Sequence, residues 1–364
     1  MRKSLLGKPP KIQYNEGTKT MKTKKDKLHI GLVGFGYWGP QLLRNFLMTK
    51  DVQLVAICDQ DKEKLDRIYH PGILKFDKFD NLVDDERIDA LVLAVPTELH
   101  YPFAKKALEN KKDVWVEKPL TDTTQKALEL HQLAIEKEKI LFVDHTFVYN
   151  PAVQKMREVI EKGLLGNLFY YDSTRVNLGL IQKDVNVIWD LAPHDLSILN
   201  YLVKQTPVEV SAFGACHMKM GREEIAYVNL RYENGMIAHF NFNWLSPVKI
   251  RRIIVGGSQR LLVYDDGETT EKIKVYDKGV NIDERLGEEG KYRFMVNYRM
   301  GDMTAPYVEH TEPLLVACRS FVNTVLHRTP SLSDGMAGVQ VVQMLESINA
   351  SLKEDGKKII LKPL

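Results

Sequence analysis

The stretch Leu28-His29-Ile30-Gly31-Leu32-Val33-Gly34-Phe35-Gly36-Tyr37-Trp38-Gly39-Pro40 decides the fold. Its first six residues read as a strand, glycines follow at 34, 36 and 39, and Leu42, Leu43, Phe46 and Leu47 then recur at helical spacing. A strand that enters a helix through G-x-G-x-x-G is a phosphate cradle. Gly34 permits the tight turn, Gly36 lets the backbone approach a pyrophosphate, and Gly39 lets helix pack on strand, with the helix N-terminus supplying positive dipole. Phe35, Tyr37 and Trp38 complete the candidate cofactor loop.

The next strand-like run closes on Ala56-Ile57-Cys58-Asp59, which puts an acid where the ribose of a dinucleotide would lie. A carboxylate there accepts hydrogen bonds from a free 2′-hydroxyl and repels a 2′-phosphate, and Gln60 and Asp61 add no positive charge. The cofactor implied is NAD rather than NADP.

Outward from this core, Ala90–Val95, Val114–Glu117 and Ile140–Val143 join Leu28–Val33 and Val52–Cys58 as continuous apolar runs separated by helix-like stretches. That is the pattern of a doubly wound parallel sheet, covered by helices on both faces. A helix is expected to open at Thr121. Beyond Asn150 the pattern changes: Glu224–Glu233 and Met236–Trp244 alternate around Asn234-Gly235, a two-residue hairpin signal, and further β-like runs lie at Arg251–Val255, Arg260–Tyr264 and Lys272–Tyr276. The spacing predicts an α+β second domain with a large, mostly antiparallel sheet, closed by helices at Glu312–Leu326 and Gly335–Leu352. Asp277–Pro306 reads as a long loop or subunit-contact segment. The division expected is a basic, disordered leader over 1–27, a Rossmann domain over 28–148 and a substrate and oligomerisation domain over 149–364.

Composition agrees with a folded body: 44% hydrophobic and 27% charged residues. The formal charge of +3 is a property of the leader, which holds nine Lys/Arg against two Asp/Glu and leaves the remainder acidic. This argues against a nucleic-acid partner. No run approaches the roughly 18 apolar residues of a membrane span, so a soluble cytoplasmic protein is expected. The three cysteines are too dispersed for a metal pair or disulfide framework, and no clustered His/Cys spacing suggests a metal.

Candidate chemistry gathers at the carboxyl edge of the parallel sheet, where open α/β sheets bind ligands. Pro96, Thr97 and His100 follow one strand, and Glu117-Lys118-Pro119 another. In the second half, Trp189-Asp190-Leu191-Ala192-Pro193-His194-Asp195 precedes an apolar helical run. Proline in a first turn makes this a helix N-terminus, and Asp190 and His194 at i and i+4 would share a face. A carboxylate orienting an imidazole suits a general base. Tyr101-Pro102-Phe103-Ala104-Lys105 matches the Y-x-x-x-K spacing of short-chain dehydrogenases, but Pro102 and its position in the chain mark it as coincidence.

Together, Gly34–Gly39, Glu117-Lys118-Pro119 and Asp190 four before His194 resemble the glucose-fructose oxidoreductase, inositol dehydrogenase and MocA family, over nearly the whole chain from Leu28 to Leu361. The resemblance implies that Lys118, Asp190 and His194 face the nicotinamide and a substrate hydroxyl, and that the chain forms a homodimer or homotetramer. Arg175-Val176-Asn177-Leu178-Gly179 and Tyr298–Asp302 are similar to members acting on nucleotide sugars, UDP-N-acetylglucosaminuronate 3-dehydrogenases among them. Oxidation of a sugar's secondary hydroxyl at C3 is the activity implied, with Asn150, Arg175 and Asn177 as candidates for substrate contact. Free-sugar or inositol dehydrogenase, NAD-dependent glycosidase and non-catalytic NAD/sugar sensor are the alternatives.

Overall fold

The computed structural model describes residues 27–179, 181–182, 185–218, 221–283 and 295–364, with backbone alone at 281–283 and 295–297. The expected leader, Lys27 apart, lies outside the described residues.

The first half is a six-stranded parallel sheet. Its strands are β1 (Leu28–Val33), β2 (Val52–Cys58), β3 (Leu74–Phe76), β4 (Ala90–Leu93), β5 (Asp113–Val116) and β6 (Leu141–Val143), in the order β3-β2-β1-β4-β5-β6. Helices α1 (Gly39–Leu47), α2 (Lys62–Asp66), α3 (Phe79–Val83), α4 (Thr97–Glu109) and α5 (Thr124–Glu136) connect them. Every residue of β4, β5 and β6 is buried, as continuous apolar runs require. Strand order reverses between β1 and β4, which opens a crevice at their carboxyl ends. β3 escapes sequence reading because it is a three-residue edge strand with no buried residue to set a pattern. The helix expected at Thr121 starts instead at Thr124, where Thr123 extends and its hydroxyl accepts from Lys126 N at 3.3 Å.

A 3-10 turn (Thr146–Tyr149) and α6 (Pro151–Glu161) lead into a nine-stranded sheet. Its strands are β7 (Leu168–Val176), β8 (Glu209–Ala215), β9 (Ile225–Arg231), β10 (Ile237–Asn243), β11 (Ile250–Gly257), β12 (Leu261–Asp265), β13 (Ile273–Asp283), β14 (Met295–Thr304) and β15 (Ile359–Ile360), ordered β14-β13-β12-β11-β7-β10-β9-β8-β15. The sheet is antiparallel except where β7 and β10 run parallel near its centre. One face carries α6, α7 (Val187–Leu202) and α9 (Gly335–Lys353), and the alternating Ala226, Val228, Leu230 and Ala238, Phe240, Phe242 are its buried rows. α8 (Pro313–His327) crosses back to the first sheet, where Phe321 packs on Trp115, Phe142 and Phe46.

Two sequence expectations change here. The Asn234-Gly235 hairpin is not a two-residue loop: Gly235 N donates to Tyr232 O, Gly235 has φ +87° and Asn234 is not at positive φ. That is a three-residue loop whose glycine takes the left-handed position. And much of Asp277–Pro306 is not loop, because Lys278–Asp283 of β13 pairs with Met295–Met300 of β14. Its Gly- and charge-rich composition hid an edge hairpin that needs no buried row to pair.

Candidate active site

The cofactor loop leaves β1 at Gly34, whose φ is +91° and where a Cβ would stand 2.2 Å from the Ala94 carbonyl oxygen. Only glycine fits. A Cβ on Gly39 would press to 2.8 Å from Gly34 O, whereas one on Gly36 would meet nothing within 4 Å. Gly36 is thus glycine without any neighbour in the chain demanding it, which is the mark of a cradle kept open for a ligand. No side chain caps the α1 N-terminus. Asp59 is nearly buried; one of its oxygens accepts from Phe35 N at 2.7 Å and the other from Asp61 N at 2.9 Å. The acid is thereby aimed over a cleft of about 370 Å³ that also touches Gly34, Gly36, Pro96 and Leu99. The loop and the acid fit NAD. Lys64, one turn into α2, stands 3.8 Å from both Asp59 and Asp61 and was not visible from sequence spacing; two carboxylates outweigh its charge.

His100, expected at the cofactor, is instead a brace. It is 1% exposed, and its ring nitrogens face Pro119 O at 2.8 Å and Val95 O at 2.9 Å, tying together the loops after β4 and β5. Burial lowers its basicity more than the carbonyls raise it. Pro96 lines the same cleft as Gly36 and Asp59, and Thr97 opens α4.

Lys118 extends from the end of β5, and the Lys118–Pro119 peptide is cis. Its Nζ donates to the Asp190 carbonyl at 3.0 Å and stands 3.7 Å from Asp190 Oδ1. Trp244, just past β10 and buried, donates its indole N–H to Asp190 Oδ2 at 3.0 Å. Asp190 therefore serves Lys118 and not His194, contrary to the i, i+4 expectation. The two still share a face of α7, but Trp244 and Lys118 engage the Asp190 carboxylate, and the helix also starts earlier than expected. α7 begins at Val187 with Asn186 as its cap, so Pro193 sits in the second turn and not the first. Proline has no N–H for the Trp189 carbonyl, which loosens the turn where Lys118 takes the next carbonyl.

His194 lies on the same turn, its ring 5.1 Å from Phe147 in an edge arrangement. Its Nδ1 is buried without a hydrogen-bond partner. Burial first, then the charges of Lys118, Arg175 and Arg251, hold its basicity well below the usual imidazole range, so the ring is neutral. The residue as a whole is half-buried while its Nδ1 is enclosed and unpartnered, an arrangement that calls for an explanation.

Behind Lys118 two acids meet. Glu117 and Asp144 are both buried, and their mutual repulsion adds to burial in favouring a proton on Glu117. Burial raises both: Glu117 well above the carboxylate range and Asp144 to about 6, while Thr146 Oγ1 donates to Asp144 at 2.6 Å. Next to them, burial pushes His145 down to about 3. Sequence reading missed Asp144, although an acid closing the last parallel strand was the available signal.

The substrate-contact candidates separate. Arg175 is 3% exposed and grips Asp195 through both Nε and Nη2, the latter at 3.3 Å, while Ser173 donates to the same carboxylate at 3.0 Å. Its Nε and Nη2 are committed to this internal ion pair. Asn150 caps α6, accepting from Ala152 N at 2.9 Å and donating to Tyr264 OH at 3.3 Å, so it too works inside the fold. Asn177 follows β7 at the open end of the sheet, half-buried, its backbone N–H on Asn243 O at 3.0 Å. Among the described residues no His/Cys/Asp/Glu group is disposed to hold a metal, and no helix is long and apolar enough to cross a membrane.

Comparison with known proteins agrees with this two-sheet fold. Residues 28–145 match the oxidoreductase family model with an NAD-binding Rossmann fold, and residues 153–263 the GFO/IDH/MocA C-terminal domain. Myo-inositol 2-dehydrogenase of Thermotoga maritima is 23% identical, covering 90% of this chain and 97% of its own. UDP-N-acetylglucosamine 3-dehydrogenase of Acidithiobacillus ferrooxidans is 24% identical over 86% of this chain and 94% of its own. The structure of GenD2 from gentamicin A biosynthesis, in complex with NAD, superimposes with a TM-score of 0.76 at 20% identity, covering 96% of this chain and all of that one. With its Gly34–Gly39 cradle, its Asp59 and its two-sheet architecture, the chain belongs to the GFO/IDH/MocA family of NAD-binding oxidoreductases.

Proposed function

We propose that this protein is an NAD-dependent dehydrogenase that oxidises a secondary hydroxyl of a sugar, at C3 of a nucleotide-linked sugar such as a UDP-N-acetylhexosaminuronate. The observation that carries the reading is His194: a neutral, half-buried imidazole whose enclosed Nδ1 has no partner, beside an ammonium held by Asp190. Nicotinamide, when NAD is bound, supplies the two-electron acceptor. His194 takes the proton of the substrate hydroxyl. Lys118 donates a hydrogen bond to the same oxygen and stabilises its developing charge. Asp190, fixed by Trp244, holds the ammonium in place through both its carbonyl and its carboxylate. The acting form of the protein is a homodimer or homotetramer.

The nucleotide-sugar reading draws on the UDP-N-acetylglucosamine 3-dehydrogenase similarity, and a cyclitol reading draws on the myo-inositol enzyme's comparable coverage. NADH formation, followed by absorbance and by fluorescence of bound cofactor, across UDP-sugars, their uronates, free sugars and inositols decides between them. Reduction by a UDP-sugar and not by inositol is expected. Reduction by inositol alone selects the second reading, and no reduction by any polyol overturns both.

A further inference from the structure

β7 and β11 place two arginines side by side: Arg175 pairs in register with Arg251, both on the helix-covered face. Neighbouring like charges on one face repel, so each needs its own compensation. Arg175 has it, in the two-pronged grip on buried Asp195. Arg251 does not. Its one carboxylate contact is Nη1 to Asp266 Oδ2 at 3.4 Å, at the limit of a hydrogen bond. Asp266 is itself divided, accepting from Tyr264 OH at 3.0 Å and lying 3.5 Å from Lys272 Nζ. Arg251 Nε is buried and has no partner at all, although a guanidinium carries five donors. The side chain retains 31% of its exposure, against 4% for Arg175. Its guanidinium lies 5.9 Å from the centre of the Phe147 ring, which also carries the His194 imidazole at 5.1 Å. Arg175 reaches the same ring at 4.5 Å, so both arginines share one aromatic floor with the proposed base, and Arg251 is the one of the two not gripped by a carboxylate.

We propose that Arg251, and not Arg175, is the residue that receives an anionic group of the substrate, a carboxylate or phosphate oxygen pair. A planar two-pronged donor matches either oxyanion, and the exposed part of the Arg251 side chain, beyond its enclosed Nε, is where such an anion would sit. The inference rests on the dehydrogenase reading, in that the same substrate presents its hydroxyl to His194, and it names the substrate class as an anionic sugar.

Titration calorimetry on the NAD-loaded protein tests it, with UDP, D-glucuronate and D-glucose as probes. Wild type is expected to bind at least one anion tenfold or more tightly than glucose, with affinity that falls as salt rises. Arg251→Gln should lose tenfold or more of that affinity, and Arg251→Lys should lie between. UDP preference assigns the phosphate and glucuronate preference the carboxylate. NAD binding by each variant reports folding, and Arg251→Lys decides if the glutamine variant binds no NAD. Equal anion affinity in wild type and variant, or glucose bound as tightly as both anions, overturns the proposal. The same probes and their UDP-sugars assayed for NADH formation keep the two questions apart. Neutral sugars oxidised with no anion preference leave the dehydrogenase reading standing and the Arg251 assignment refuted, whereas anions held through Arg251 without any polyol oxidation do the reverse.

Discussion

The indole of Trp244 donates to the carboxylate of Asp190 at 3.0 Å, across the gap between the end of β10 and the first turn of α7. This contact ties the sheet of the second half to the group that holds Lys118, so the position of the proposed oxyanion donor depends on a tryptophan far from it in sequence. Asp190 has one oxygen toward the indole and the other toward the ammonium. Such an arrangement fixes a flexible lysine without consuming all three of its protons.

Trp244→Phe keeps most of the buried ring and removes the N–H. The Asp190 oxygen then loses its donor, at a cost of about 1–3 kcal/mol in stability for an unsatisfied, partly buried acceptor. Turnover is expected to fall about tenfold or more while NAD affinity holds, because the loop that binds NAD is not touched. Thermal unfolding, NAD titration and kcat measured on one preparation check the three parts.

Two loop glycines should fail in different ways. Gly34→Ala forces a Cβ onto the Ala94 carbonyl at a positive φ, so the melting temperature falls along with NAD binding. Gly36→Ala meets nothing in the protein, so the melting temperature should stay within the scatter of surface substitutions, about 0.5 kcal/mol, while NAD affinity falls tenfold or more. A Gly36→Ala protein that binds NAD normally contradicts the cradle.

The Glu117–Asp144 pair predicts a pH-dependent stability difference. Asp144 rises from an ordinary 3.8 to about 6 on folding. A carboxyl raised in the folded state contributes stability that is fully present below its unfolded value and is lost as pH climbs through the folded value. Asp144→Asn has no such titration and can still accept from Thr146. Relative to wild type, the variant should therefore gain stability between pH 4 and 6, by about 3 kcal/mol at most. Glu117 loses the Asp144 charge in the variant but stays raised by burial, its main cause, and the buried histidines, which titrate the opposite way, are common to both proteins and cancel. Chemical denaturation at pH 4 and pH 7 checks the sign, and a constant difference contradicts it.

Much of this architecture is legible in the sequence because local signals suffice. Leu28–Val33 and Val52–Cys58 are strands to the residue, since each is mainly apolar and mostly buried, with one polar residue, His29 or Gln53, near its start. Gly34, Gly36, Gly39 and Asp59 were readable because backbone geometry restricts the residue types allowed there. What escaped depends on partners far along the chain. Nothing near Asp190 says that Trp244, 54 residues on, takes one of its oxygens. Arg175 looks like a ligand-binding arginine until Asp195 is seen to occupy it, and Arg251, in an equally plain strand, looks like nothing until its unpartnered Nε is. Pro193 misled because a helix N-terminus is the usual home of proline, while here Asn186 caps the helix two turns earlier.

The central claim, that Lys118 and His194 perform chemistry on a sugar hydroxyl, is tested most directly by pairing NAD titration with single-turnover NADH formation in Lys118→Ala and His194→Ala, using the UDP-sugar or polyol that wild type reduces NAD with fastest. Loss of about 10²–10⁴-fold in the rate of NADH formation, with NAD still bound, is the predicted result for each. A variant of either residue that forms NADH within a few-fold of the wild-type rate would contradict the account.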